Sequence, residues 1–234
     1  MVFWNWEFAF EVFPVILRAM WTTLAATIVA FAFAMIVGLL LAVLRRSPFK
    51  PVVWTVVGIS EFIRATPPLV QLFFVFYALP FWGISLSPFI AGVLALGIHY
   101  STYCAEIYRS GIEAVPRGQW EAATALNFST RKKWTNIILP QAIPPIVPML
   151  GNYLISMFKD TPLLSAIMVV EMLQTAKIVG SASFRYLEPF TIVGFLFLLL
   201  SYPSSLLIKK LENKLNRRKV RIVQKKSQGK DVAA

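Results

Sequence analysis

Between about Val15 and Leu44 the chain carries one charged residue, Arg18, in an otherwise apolar stretch that Arg45-Arg46-Ser47-Pro48 brings to a stop. Roughly 20 consecutive apolar residues suffice to cross the hydrocarbon core of a bilayer, so this stretch can span it with tilt. Inside lipid a single segment must satisfy its own N–H and C=O groups, and it does so as a helix. Four more apolar segments follow, at about Pro51–Phe81, Phe89–Ile107, Ile137–Phe158 and Pro189–Ile208. Hydrophobic residues make up 57% of the 234 and charged residues only 15%, far from a soluble average. The expectation is an all-α integral membrane protein with five transmembrane helices over residues 1–208, followed by a basic tail over 209–234.

Basic residues set the orientation. Three lie in the loop at 45–50, five at 109–133 and ten in the tail, so 18 of 23 fall on one side. Arg18, Lys159, Lys177 and Arg185 fall on the other, with Arg64 near the inner boundary. Lys/Arg-rich loops stay in the cytoplasm, which places the N-terminus outside and the tail inside. The tail carries +8 of the formal +12, and a cytoplasmic membrane flank explains that more simply than nucleic-acid binding. Cys104 is the single cysteine, which excludes an intrachain disulfide and a thiolate metal cluster; within an apolar span it reads as a buried thiol. Residues 1–13 hold Trp4, Trp6, Glu7 and Glu11 and no basic residue. They suit an interfacial segment on the outer face, and no cleavable signal peptide is expected.

Polar residues inside the spans are candidates for a pathway, because exposing them to lipid is costly. The second apolar segment is interrupted by Glu61-Phe62-Ile63-Arg64-Ala65-Thr66-Pro67-Pro68. Glu61 and Arg64, three apart on a helix, suit a structural ion pair, and the prolines force a break or kink. Gln71 follows. The third span contains His99, the only histidine, expected to be hydrogen-bonded inside the bundle. Glu106 and Arg109 form a second i, i+3 pair at the inner boundary. In the fourth span Pro140, Pro144, Pro145 and Pro148 predict a bend facing the bundle interior. Asn152 and Ser156 share one helical face beyond it, and Lys159-Asp160 close the element. Residues 159–188 are ambiguous: Leu163–Leu173 suits a short helix that does not span. After Ile208 the tail reads as helical at first and then disordered.

The longest polar interval runs from Arg117 to Gln141. A helix-forming run over Gln119–Leu126 ends at Asn127, and Ser129 and Thr130 can cap a new helix from Arg131. This is a helix–turn–helix between two spans, exposed to the aqueous side and suited to docking a soluble partner. Glu121-Ala122-Ala123, three residues, Asn127, nine residues, then Ile137-Ile138-Leu139-Pro140 resembles the EAA signature of permease subunits of bacterial ABC importers. The family usually has Gly where Asn127 stands; Asn is the residue that best replaces Gly in a left-handed conformation. Glu61-Phe62-Ile63-Arg64-Ala65-Thr66-Pro67-Pro68-Leu69-Val70-Gln71 is similar to a block of the polar amino-acid uptake branch, with Ala65 in place of Gly. The wording of 99–127 and 158–167 resembles, within that branch, permeases for ectoine and hydroxyectoine.

The resemblance implies a type I importer permease in the bacterial inner membrane, working with a dimer of ABC ATPase subunits. It also implies a second permease subunit, identical or homologous, and an extracytoplasmic solute-binding protein. The coupling loop would be 109–136, with Gly118, Glu121, Ala122, Ala123, Asn127, Leu139 and Pro140 as its ATPase-facing set. No phosphate loop of the form GxxxxGK[ST] occurs, so ATP and Mg would sit on the partner ATPase and this chain would carry no cofactor. No HExxH or GxSxG occurs either, and one His with one Cys gives an enzyme little to work with. A secondary transporter would carry acidic residues at mid-span and an internal repeat, neither of which is seen. The remaining alternative is a membrane scaffold that recruits a soluble partner through the same loop.

Overall fold

The computed structural model describes residues 4–231, with side chains described as far as Leu215. The first helix, α1 (Trp6–Leu44), is capped by the Asn5 side chain, which accepts a hydrogen bond from Phe8 N at 3.1 Å. Its 39 residues measure about 58 Å at 1.5 Å rise per residue, well beyond a hydrocarbon core. Residues 6–13 were expected to form an interfacial segment of their own; they are instead the first turns of α1. Ala9, Val12, Ile16 and Ala19 recur at helical spacing and bury against Phe158, Met172, Ala176 and Ile192, which draws this end into the bundle.

The second apolar segment is a broken element. Helix α2 (Lys50–Ala65) meets α3 (Pro68–Phe73), extended by a π-turn at Phe74–Ala78 and a 3₁₀ turn at Leu79–Trp82, through a bend of 105°. Pro67 and Pro68 withhold two N–H groups here, and the residue before a proline is pushed out of the helical region. Thr66 accordingly sits at ψ 141°. After Gly83, with φ of 80°, Ser87 caps α4 (Pro88–Glu113).

Two short helices, α5 (Arg117–Ala125) and α6 (Thr130–Lys133), form the polar hairpin. A π-turn at Trp134–Ile138 leads into α7 (Leu139–Asp160). The sequence predicts a bend across Pro140–Pro148, but α7 runs unbroken with Pro144, Pro145 and Pro148 inside it. The irregularity lies just ahead of Pro140, in the π-turn. That one turn absorbs a register change in the hydrogen-bond ladder, and the sharp bend belongs to the second segment instead.

The ambiguous stretch resolves into a 3₁₀ helix at Thr161–Ile167, a left-handed residue at Met168 (φ 63°) and α8 (Met172–Ser183). Leu163–Leu173 is therefore not one helix. Glu171, fully buried, caps α8 by accepting hydrogen bonds from Leu173 N (2.9 Å) and Gln174 N (2.7 Å), a task it performs only if the chain turns before it. Helix α9 (Leu187–Asp231) carries the last span into the first turns of the tail, as expected; the disorder expected after them lies beyond Leu215, outside the described residues. Residues 204–228 contain neither Gly nor Pro and are rich in Lys, Arg, Leu and Gln, all good helix formers. Tail side chains beyond Leu215 lie outside the described residues.

The bundle is organised around α1 and α4, the most extensively packed pair. Ala26, Ala30, Ala34 and Gly38 recur every four residues along α1, and small residues on both helices let the backbones approach. A Cβ on Gly38 would lie 2.6 Å from Cys104 Cβ and 2.7 Å from the Ser101 carbonyl; one on Gly97 would lie 3.2 Å from the Ala30 carbonyl. The pairs 30/97 and 38/104 make α1 and α4 parallel. Gly92 against Leu164 and Gly111 against Ala142 make α4 and α7 antiparallel. The start of α1 meets the start of α9 through Asn5 N and Glu188 Oε1 at 2.9 Å. The end of α1 meets α4 through Arg45 and Glu106 at 2.8 Å. The polar hairpin and the start of α8 consequently sit at opposite ends of the bundle. The described helices supply four spans by length and composition, or five with the bent pair counted as one.

Candidate coupling loop and transport pathway

Helix α5 ends as the motif requires. Leu126 is its C-cap, Asn127 adopts φ 54°, Asn127 N donates to Thr124 O (2.9 Å) and Phe128 N to Ala123 O (3.1 Å). That pattern is a Schellman turn with Asn in the left-handed position. Ser129 then caps α6, accepting from Lys132 N at 3.5 Å. Ala123 is fully buried against the body, whereas Glu121 and Ala122 face solvent. A Cβ on Gly118 would meet nothing within 4 Å. Leu139 and Pro140 open α7, both exposed at its surface. Of the seven motif residues, Ala123 and Asn127 therefore shape the hairpin, and Gly118, Glu121 and Ala122 form its open face.

Attachment to the membrane body runs through aromatic and amide contacts. Trp120 of α5 packs edge-to-face on Trp134, with centroids 5.3 Å apart. Gln141 Nε2 donates to Gln119 Oε1 at 3.2 Å, and Lys133 Nζ to Thr124 Oγ1 at 2.9 Å.

A second polar group lies at mid-bundle, around the centre of α4. Gln71 folds back across the 105° bend, its Nε2 donating to Ile63 O (2.7 Å) and to Thr66 Oγ1 (2.7 Å). Its Oε1 accepts from His99 Nδ1 at 3.2 Å. His99 is buried and hydrogen-bonded, as its position in the span predicts. Tyr100 Oη donates to Asp160 Oδ2 at 2.6 Å, and Tyr103 stacks on Tyr153 with centroids 5.3 Å apart. Gln71, His99 and Asp160 thus meet α4 at one level. Asn152, Ser156 and Lys159 do not join them: spaced i, i+4, i+7 on α7, they form an exposed stripe on the face turned away from the core. Asp160, one residue on, points about 100° from Lys159 and reaches α4 instead. The prolines of α7 were expected to turn this face toward the bundle interior; within this chain it is open.

The two expected ion pairs form. Arg64 pairs with Glu61, and its Nη1 also donates to the Thr102 carbonyl at 3.4 Å. Arg109 pairs with Glu106 and with Glu113, the latter at 2.5 Å. Cys104 is fully buried. Among the described residues no cluster of three His, Cys, Asp or Glu side chains suits a metal.

The family model described as "Binding-protein-dependent transport system inner membrane component" matches residues 34–217. The chain belongs to this family. It is similar to the probable amino-acid ABC transporter permease protein y4tG of Sinorhizobium fredii, with 45% identity over 213 residues, covering 91% of this chain and 92% of that protein. It is also similar to the L-cystine transport system permease protein TcyB of Bacillus subtilis, with 34% identity over 214 residues, 91% of this chain and 92% of the other. Among solved structures, an amino acid ABC transporter crystallised with histidines superposes with a TM-score of 0.86 at 33% identity, covering 91% of this chain and all of that one.

The protein is accordingly a multi-pass inner-membrane permease subunit with the type I ABC importer fold, and not an enzyme. Permeases of this family carry no cofactor; the nucleotide binds the partner ATPase. Reading this permease from sequence missed several residues. Nothing local in the sequence pairs Tyr100 with Asp160 or Tyr153 with Tyr103. Arg45 reads in the sequence as a stop signal, and in the structure it also bonds Glu106. Glu171 and Glu188, both fully buried, went unnoticed as caps and clasps of the end opposite the hairpin. The four-residue repeat of small residues on α1 was a visible signal for the α1–α4 contact.

Proposed function

We propose that this permease carries polar amino acids or related zwitterionic solutes inward, with ectoine and hydroxyectoine among the substrates its wording favours. The single observation behind this reading is the architecture of α7. Its N-terminal end is joined to an exposed EAA hairpin, and its C-terminal half carries the open stripe Asn152, Ser156 and Lys159 beside Asp160. An exposed amide, hydroxyl, ammonium and nearby carboxylate at membrane depth suit a pathway shared with a second permease subunit better than a lipid contact. A zwitterion offers a carboxylate for Lys159 and an ammonium for Asp160. The relatives' named solutes, cystine and amino acids in general, are of this class.

In this reading residues 1–208 form the translocation domain, 109–136 the coupling loop and 209–234 a cytoplasmic tail, with the N-terminus outside. Glu121, Gly118 and Ala122 face a groove on one of two ATPase subunits, and a solute-binding protein delivers substrate at the end that holds α8. No observation favours the scaffold alternative. The test is reconstitution of the complex in liposomes with a Cys104-free permease carrying Ser129→Cys. ATP hydrolysis stimulated by a panel of polar amino acids and ectoine is measured with nucleotide on the face where Ser129→Cys is labelled. Stimulation by zwitterions of this class supports the reading. Labelling from the face opposite the nucleotide, or hydrolysis indifferent to every solute of the panel, overturns it.

A further inference from the structure

The turn that ends α1 sends two adjacent arginines in different directions. Arg45 Nη1 reaches Glu106 on α4 at 2.8 Å. Arg46 instead lies over the tryptophan pair of the hairpin, its Cζ 5.2 Å from the Trp134 centroid and 5.9 Å from that of Trp120. A guanidinium within about 6 Å of an aromatic centroid is held by the ring's negative face, and a tryptophan is the best such partner. Two tryptophans at right angles around one guanidinium make a seat that follows the rings as they shift. Beside this seat a cavity of about 650 Å³ separates the end of α1 from Trp134 and Leu139. At this level Arg46 is a contact between the hairpin and the turn that ends α1, on the wall of that cavity.

We infer that Arg46 is a positioning residue that passes motion of the docking helix α5 to the first span. The inference rests on the coupling role proposed for the hairpin. Movement of α5 has two covalent routes, through the π-turn into α7 and back through the turn at 114–116 into the end of α4. Arg46 adds a third, non-covalent route, into the end of α1. Because α1 and α4 are packed along Ala26–Ala30–Ala34–Gly38 and tied by Arg45–Glu106, a displacement of Arg46 carries both as one body. Helix α7 is then moved from the hairpin through the π-turn, and the α1–α4 body, which carries His99, through the turn at 114–116 braced by Arg46. Without Arg46 the ATPase would still dock and α7 would still be driven, but the α1–α4 body would be left to the non-helical turn at 114–116 and would follow less closely.

The test uses the complete reconstituted transporter and reads solute transported per ATP hydrolysed. Arg46→Ala is expected to leave ATPase co-purification at the wild-type level while this ratio falls about threefold, the scale of one partly exposed cation–aromatic contact. Arg46→Lys, which keeps a cation over the rings, is expected to recover most of the loss; Arg46→Gln, similar in reach but neutral, is not. Trp134→Leu is expected to lower the ratio similarly, and Arg46→Ala with Trp134→Leu to be no worse than either alone. A wild-type ratio in Arg46→Ala overturns the inference. If Arg46→Ala does not assemble, equal ratios for the Lys and Gln variants overturn it instead. Failure of the underlying coupling role shows differently: Glu121→Lys would then leave ATPase recruitment intact, whatever Arg46 does.

Discussion

At its N-terminal end α7 is reached from a hairpin whose Gly118, Glu121 and Ala122 face solvent and whose turn is set by neighbours in sequence. At its C-terminal end and along α4, the polar side chains bond to partners far away in the chain: Gln71 with His99, Tyr100 with Asp160. The first region presents side chains outward, where the proposed coupling role needs them. The second spends its hydrogen-bonding capacity holding helices in register and leaves one stripe of α7 open. The difference teaches where each function is vulnerable. A docking surface is lost by changing a charge without unfolding anything, whereas a packed seam is lost by adding a methyl group.

The largest effect is expected at the hairpin. Glu121→Lys reverses an exposed charge on α5 and, at a desolvated contact with the ATPase, costs about 2–5 kcal/mol. Uptake and ATPase co-purification are expected to fall at least about tenfold, with membrane insertion unchanged in fractionated cells. Normal recruitment by this variant would remove the hairpin from the contrast.

A smaller effect separates two glycines. Gly38→Ala forces a Cβ to within 2.6 Å of Cys104 Cβ and 2.7 Å of a backbone carbonyl, neither of which can swing aside. The cost is expected to be about 1–3 kcal/mol, read as a lowered Tm of the detergent-solubilised protein. Gly118→Ala meets no atom within 4 Å, so its Tm is expected to match wild type, within about 0.5 kcal/mol. Lost uptake in Gly118→Ala at unchanged Tm would mark the site where the ATPase backbone approaches. Equal Tm values for both variants would break the distinction between seam and surface.

The same contrast explains what was legible beforehand. The hairpin could be read residue by residue, down to the left-handed Asn127 and the capping Ser129, because turn chemistry is local. The spans were legible from hydropathy, and the ion pairs at i, i+3 from helical spacing. Two of the expectations that the structure corrects, a bend in α7 and a single short helix over Leu163–Leu173, depend on longer-range context. A π-turn at Trp134–Ile138 takes up the proline strain, and burial of Glu171 fixes where α8 begins. The candidate pathway divided for the same reason. Gln71, His99 and Asp160 meet across gaps of 28 and 60 residues, counted through Tyr100 for the last, and no local pattern announces such meetings.

The most direct measurement compares Asn152→Leu with Glu121→Lys in proteoliposomes, recording solute uptake and ATP hydrolysis on the same preparations. Leu keeps the branched shape of Asn, with the same number of side-chain heavy atoms, and removes both its donor and its acceptor. The expected result is that Asn152→Leu loses uptake severalfold while ATPase binding and hydrolysis remain, and that Glu121→Lys loses all three. Full uptake by Asn152→Leu would contradict the account, because the open stripe of α7 would then be a packing face and not the path of the solute.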